Sequence, residues 1–311
     1  MHVDLFDSFW LIAQADVEFS LNPTQALGIP IALVGAVFLS LGTQMQHKGV
    51  EIAEEGRDAH ANSMGVQQIL SLIRSPLWVS GTAIIGLAVI MQLWALALAP
   101  LLVVQPLGAI ALVVTSILNA RISGLRLDRH TITAIFWCIG GIGLFVTVAA
   151  IFAVESTVED HEVFTVLGLL LVVVLGVVAV WLRRRSSINA IVSIIIAGTL
   201  YGFLVTIMKI LMNRFMLHGF DWLIIACIVG VIVSLVLGMY FVQLAHASGP
   251  PDLAIAGLTV IDPLVAVLIG VAVLGEAVAT PPWAVMIFAA AGGAAVYGVF
   301  QLAKHHPQVQ S

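Results

Sequence analysis

From residue 26 onward the chain alternates between long apolar runs nearly free of charge and breaks that are charged or contain Pro and Gly. The runs cover 26–48, 76–99, 101–121, 131–153, 163–182, 188–212, 221–246, 252–275 and 282–302. Each is about 20 residues or longer, the length an α-helix needs to cross a hydrocarbon core of roughly 30 Å at 1.5 Å per residue. The pattern therefore predicts nine spanning helices and an all-α polytopic membrane protein with no soluble domain. Residues 1–25 carry Asp4, Asp7, Asp16 and Glu18 and no Lys or Arg, so the basic start of a signal peptide is missing. Leu5, Phe6, Phe9, Trp10 and Ala13 recur there at helical spacing, which suits a short helix lying in the membrane interface; a disordered tail is the alternative.

Composition strengthens this reading. Of 311 residues 61% are apolar and only 9% are charged, and the mean hydropathy is +1.12. Soluble domains are about 45–50% apolar and about 25% charged. A net charge of −5 with no long basic run argues against nucleic acid as a partner. Cys138 and Cys227 lie singly in apolar runs and read as packing residues, neither a disulfide framework nor a metal pair.

Basic residues mark the cytoplasmic side of a polytopic protein. With the N-terminus outside, Lys48, Arg57, Arg74, Arg121, Arg126, Arg129, Arg183, Arg184, Arg185 and Lys304 fall inside, and only Lys209 and Arg214 fall outside. The expected topology is N-out, C-in, in a cell (plasma or inner) membrane. Nine spans divide into four, one linker and four, and the linker makes the second quartet enter the membrane from the opposite side. The expected organisation is an extracytoplasmic segment 1–25, a first repeat 26–153, a linker helix 163–182, a second, inverted repeat 188–302 and a cytoplasmic tail 303–311. Short echoes agree: Val103-Val104-Gln105-Pro106-Leu107 in the third span against Val260-Ile261-Asp262-Pro263-Leu264 in the eighth, and Gly35 to Lys48 against Gly198 to Lys209. Inverted repeats are the architecture of carriers that open a central site alternately to each side.

Leu96-Ala97-Leu98-Ala99-Pro100, Val103 to Ala111, and the Gly-rich Ile139-Gly140-Gly141-Ile142-Gly143 resemble the first half of the NIPA-type branch of the drug/metabolite transporter superfamily. So does the first helix with Gly35, Ser40, Gly42 and Lys48-Gly49, and the second half ends in a similar Leu274-Gly275-Glu276 turn. The resemblance runs from 26 to 302. It implies a carrier of nine or ten helices moving small solutes, with Mg²⁺ and other divalent cations as the substrate of the NIPA-type branch. Asp262 departs from that branch, where an apolar residue is expected before the proline.

Asp262 is the most informative side chain, because a carboxylate at mid-membrane costs about 2.5–3.5 kcal/mol even on mild insertion scales and must face a cavity, a partner or a proton. Pro263 lacks an N–H and so releases the Thr259 carbonyl from its helical bond. Asp262 and Thr259 together suggest a cation or proton site; a protonated carboxyl bonded to a neighbouring helix is the structural alternative. Gln105 beside Pro106 is the counterpart in the first half and should approach the same cavity. Gln92, Trp94 and His246 supply further polar groups. Lys209 reads first as an anchor reaching the outer interface, second as a partner for an anion or for Asp262. Glu276, on a tight turn, reads as a cap or gate. Gly140, Gly141, Gly143, Gly292 and Gly293 read as packing surfaces, within the protomer or between two copies of a homodimer. The first functional expectation is a secondary carrier of the drug/metabolite type working by alternating access, with proton coupling through Asp262. The alternatives are a NIPA-like divalent-cation transporter and a polyprenyl-lipid flippase or accessory protein. The expected partners are the lipid bilayer and a small solute or cation. No phosphate loop, His/Glu metal motif or nucleophile elbow is present, so neither an enzyme nor a cofactor is expected.

Overall fold

The computed structural model describes residues 23–55, 75–122, 128–154, 158–184, 189–278 and 280–304. Ten helices form these segments: α1 (Pro23–Glu55), α2 (Pro76–Leu98), α3 (Leu101–Gly108), α4 (Ile110–Ile122), α5 (Arg129–Phe152), α6 (Asp160–Arg184), α7 (Ala190–His218), α8 (Trp222–Ser248), α9 (Pro251–Ala272) and α10 (Pro282–Lys304). Together α3 and α4 make one span, so nine spans long and apolar enough to cross a membrane lie among the described residues. The interfacial helix expected in the first 22 residues lies outside them, as does the His305-His306 tail.

Local chemistry fixes the helix starts. Asp128, Asn189 and Asp221 accept the backbone N–H three residues on, at 2.7, 3.0 and 2.9 Å, satisfying amides that the first turn leaves unpaired. Pro76, Pro251 and Pro282 open α2, α9 and α10, where a missing N–H costs nothing. Arg214 is buried; it donates from Nε to Asp221 at 2.8 Å and from Nη1 to Asp160 at 2.5 Å. The tie joins the beginnings of α6 and α8 to the last turns of α7.

One set of neighbours recurs in the two halves. In the first, α1 packs on α2 and on the α3–α4 span, which packs on α5; in the second, α7 packs on α8 and α9, and α9 packs on α10. The halves meet through α5 with α10, α3 with α9 and α2 with α7, while α6 lies against α7 and α8. Backbone approach is closest where small residues face each other, because in lipid packing alone draws helices together. A Cβ on Gly141 would lie 2.5 Å from the Ala295 nitrogen and 2.7 Å from the Ala291 carbonyl. Gly141 thus packs within the chain, whereas a Cβ on Gly140, Gly143 or Gly293 would meet nothing within 4 Å. Gly141→Leu should wedge α5 from α10 and lower stability by about 1–3 kcal/mol, the usual cost of overpacking. Unfolding in detergent followed by circular dichroism reads the loss; an unchanged transition would mean that the contact is not tight. Cys138 and Cys227 are buried and free, as packing residues should be.

Candidate functional site

Proline shapes the centre of the molecule. Pro106 and Pro263 stand inside α3 and α9, the pair of helices through which the two halves touch. In α3 the helix ends only two residues after the proline, at Gly108, and restarts at Ile110. Ala109 between them keeps a right-handed helical conformation, with φ −67° and ψ −16°, so the third span runs on and is only loosened locally beside the proline. In α9 the helix continues, with the Thr259 carbonyl deprived of its usual donor by Pro263.

A cavity of about 310 Å³ lies beside this pair. Gly35 and Leu39 of α1, Gln92 of α2, Gln105 and Gly108 of α3, Val205 of α7, and Thr259 and Asp262 of α9 are among its walls. Five spans and both halves contribute. Asp262 stands midway along α9, and its Oδ1 is buried with no hydrogen-bond partner among the described residues. Gln105 is 5% exposed and its Nε2 is likewise buried and unpartnered. Buried polar atoms are nearly always paired, at a cost of about 1–3 kcal/mol when they are not, so two orphans on one cavity mark a place prepared for something polar. The Thr259 hydroxyl donates to the Ile255 carbonyl at 2.7 Å, which commits it to its own helix and leaves the Thr259 carbonyl as the group it offers.

Of the residues expected at the site, Asp262, Gln105, Gln92 and Thr259 are brought together, with Pro263 at the same wall. Trp94 is not: it is 58% exposed and turned outward, because two residues of helix rotate a side chain by about 200° from Gln92. His246 is exposed near the end of α8, away from the cavity.

Lys209 is displaced from its expected role more completely. It does not reach an interface; it is 3% exposed and donates to Glu276 Oε1 at 2.9 Å and to the Ala99 carbonyl at 3.1 Å. Glu276, 1% exposed, also accepts from the backbone N–H of Leu101 at 2.9 Å and of Leu102 at 3.0 Å. Its carboxylate therefore caps α3 from the far half of the chain, where the positive end of the helix favours an anion. Gly275, with φ of 65°, turns the chain back after α9 so that this side chain points inward, and a Cβ on Gly270 would sit 2.8 Å from Glu276 Oε2. The backbone carbonyl of Glu276 in addition accepts from Val154, just past α5. Contacts of Lys209 and Glu276 thus tie α2, α3, α5, α7 and α9 together, where Leu101 to Val104 are fully buried.

Toward the other end, two polar contacts join helices of the first half. Ser40 of α1 bonds Thr115 of α4 at 2.8 Å, and Gln44 bonds Asn119 one turn on. Between α4 and α9 there is no packing comparable to that of α3 with α9 among the described residues.

The model of one family, described as magnesium transporter NIPA, matches residues 24–274. The chain belongs to the NIPA magnesium transporter family. Matched over most of its length, it is a membrane transporter of the drug/metabolite superfamily and a multi-pass protein of the plasma membrane. An uncharacterized protein of Corynebacterium glutamicum is 27% identical over 265 residues, which cover 83% of this chain and 88% of the relative. No solved structure matches the chain. NIPA membership does not rest on a metal cluster: no group of three or more His, Cys, Asp or Glu side chains occurs among the described residues. Any cation held at the cavity would meet one carboxylate, amides and carbonyls.

Proposed function

We propose that this NIPA-family protein moves Mg²⁺ across the membrane by alternating access, with the cavity at Asp262 and Gln105 as the cation site. The observation that carries the reading is the unpartnered, buried Asp262 oxygen on a cavity shared by both halves. Mg²⁺ binds oxygen and gives up its water reluctantly, so its sites supply one or two carboxylates and leave several waters in place. Six waters at roughly 30 Å³ each fill about 180 Å³, and the cavity of 310 Å³ holds them with room for side chains to reach in. Asp262 supplies the charge, Gln105 and Gln92 take the outer faces of the bound waters, and the Thr259 carbonyl stands beside them. This moves the expectation from a general small solute to a divalent cation.

The two quartets act as inverted repeats, in agreement with the recurring pairs of neighbours, with the N-terminus outside by the distribution of Lys and Arg. The end carrying Leu101, Lys209 and Glu276 then faces outward and is sealed by the buried ion pair and the cap on α3. Purified protein in liposomes loaded with a Mg²⁺ indicator tests the reading. Saturable Mg²⁺ entry well above that of empty liposomes is expected, and a rate equal to the empty liposomes would refute it. A pH gradient imposed on the same vesicles reads whether a proton replaces the ion on Asp262 in the return step. Gly202→Val belongs to the same assay: a Cβ there would lie 2.7 Å from the Val265 Cβ and 3.0 Å from the Asp262 carbonyl. Pushing α7 off α9 beside the site should cut the rate about ten-fold or more, as small misplacements of a reacting geometry do; a rate unchanged from the unaltered chain would show that this approach does not matter.

A further inference from the structure

Resting on the cavity reading above, we propose that Glu276 Oε1 and the Ala99 carbonyl form a second divalent-cation site on the sealed side of the cavity, held in this state by the protein's own cation, the Lys209 ammonium. Lys209 contacts these two oxygens at 2.9 and 3.1 Å. They are an anionic and a neutral oxygen converging on a positive charge, the donor set that hard cations prefer. Glu276 does not depend on Lys209 to stay in place. The Leu101 and Leu102 amides hold both of its oxygens, and the N-terminus of α3 stabilises its charge. Gly270 leaves room for it and Gly275 turns it inward. Lys209 is thus the exchangeable member of the cluster and Glu276 the fixed one.

The exchange has a direction. Val205, four residues before Lys209 on the same face of α7, lines the cavity. Helical side chains lean toward the N-terminus of their helix, which for α7 is the direction of Val205. An ammonium displaced from Glu276 therefore leans toward the cavity, whose carboxylate, Asp262, has an oxygen without a partner. Ion and lysine trade places between two acids, so neither carboxylate is left bare at any stage.

Titration of the full-length protein in detergent with MgCl₂ by calorimetry tests this through stoichiometry. The expected result is two ions bound per chain in Lys209→Met and one in Lys209→Met/Glu276→Gln. A single ion in Lys209→Met would overturn the second site. The unaltered chain provides an independent measurement should Lys209→Met fail to fold. Lysine competes there, which weakens that site below its own intrinsic affinity, so a second, weaker step should appear and Glu276→Gln should remove that step alone. One identical step in both proteins overturns the proposal. Asp262→Asn separates the two levels: retention of the first step in that variant refutes the cavity reading, while the second step still reports on Glu276.

Discussion

Glu276→Ala is expected to lower the stability of the folded protein by about 3–5 kcal/mol, because it leaves a buried ammonium without its counter-charge. Lys209 is almost fully enclosed, and the Ala99 carbonyl at 3.1 Å carries no charge to replace the carboxylate. The same change uncaps α3 by withdrawing the acceptor of two backbone amides. Lys209→Ala should be nearly as costly, for the mirror reason. The double replacement Lys209→Met/Glu276→Leu should cost much less than the sum, since removing both members of a buried pair avoids the uncompensated charge. Equilibrium unfolding of the four proteins in one detergent gives this cycle. Additive losses, or a loss below about 1 kcal/mol for Glu276→Ala, would show that the pair does not hold the sealed end together.

Asp262→Asn should have the opposite profile. Its buried Oδ1 has no partner among the described residues, so exchange for the isosteric amide breaks no hydrogen bond at that atom and should leave stability unchanged or raise it. Transport should nevertheless fall to background. Removing a mere hydrogen-bond partner of a metal ligand already costs about 10–100-fold in affinity, and Asp262 is the one carboxylate on the cavity wall, so a loss of about 100-fold or more is expected. Mg²⁺ flux in liposomes beside thermal unfolding of the same preparation decides it. A variant that folds well and still transports would remove Asp262 from the ion path.

These two residues also mark what could and could not be read from the chain. The spans were legible because each is a run of mostly apolar residues long enough to cross a bilayer, and the observed helices agree with those runs to within a few residues at most ends. Asp262 was legible for a related reason: a lone acid in such a run needs an explanation, and the Gln105–Pro106 counterpart pointed to its neighbour across the cavity. Lys209 was misplaced because the sixth span was ended at residue 212, just before Arg214. Arg214 is in fact neutralised by Asp160 and Asp221, so α7 runs on to His218 and carries Lys209 well inside. Its partner Glu276 lies 67 residues away in sequence and the amides that Glu276 caps lie 174 and 175 away, separations over which no local pattern carries a signal. Trp94 shows the complementary limit: sequence gave its depth, but which side of α2 it faces depends on how that helix packs against α1. The loosened turn at Ala109 was only half visible, through Pro106.

Diffraction from crystals grown with Mn²⁺, an oxygen-preferring divalent ion that stands in for Mg²⁺, puts the cation site to the most direct test through its anomalous signal. The expected result is a peak inside the cavity between Asp262 and Gln105, absent from crystals of Asp262→Asn. A cavity without a peak in a protein that holds the ion elsewhere would contradict the assignment.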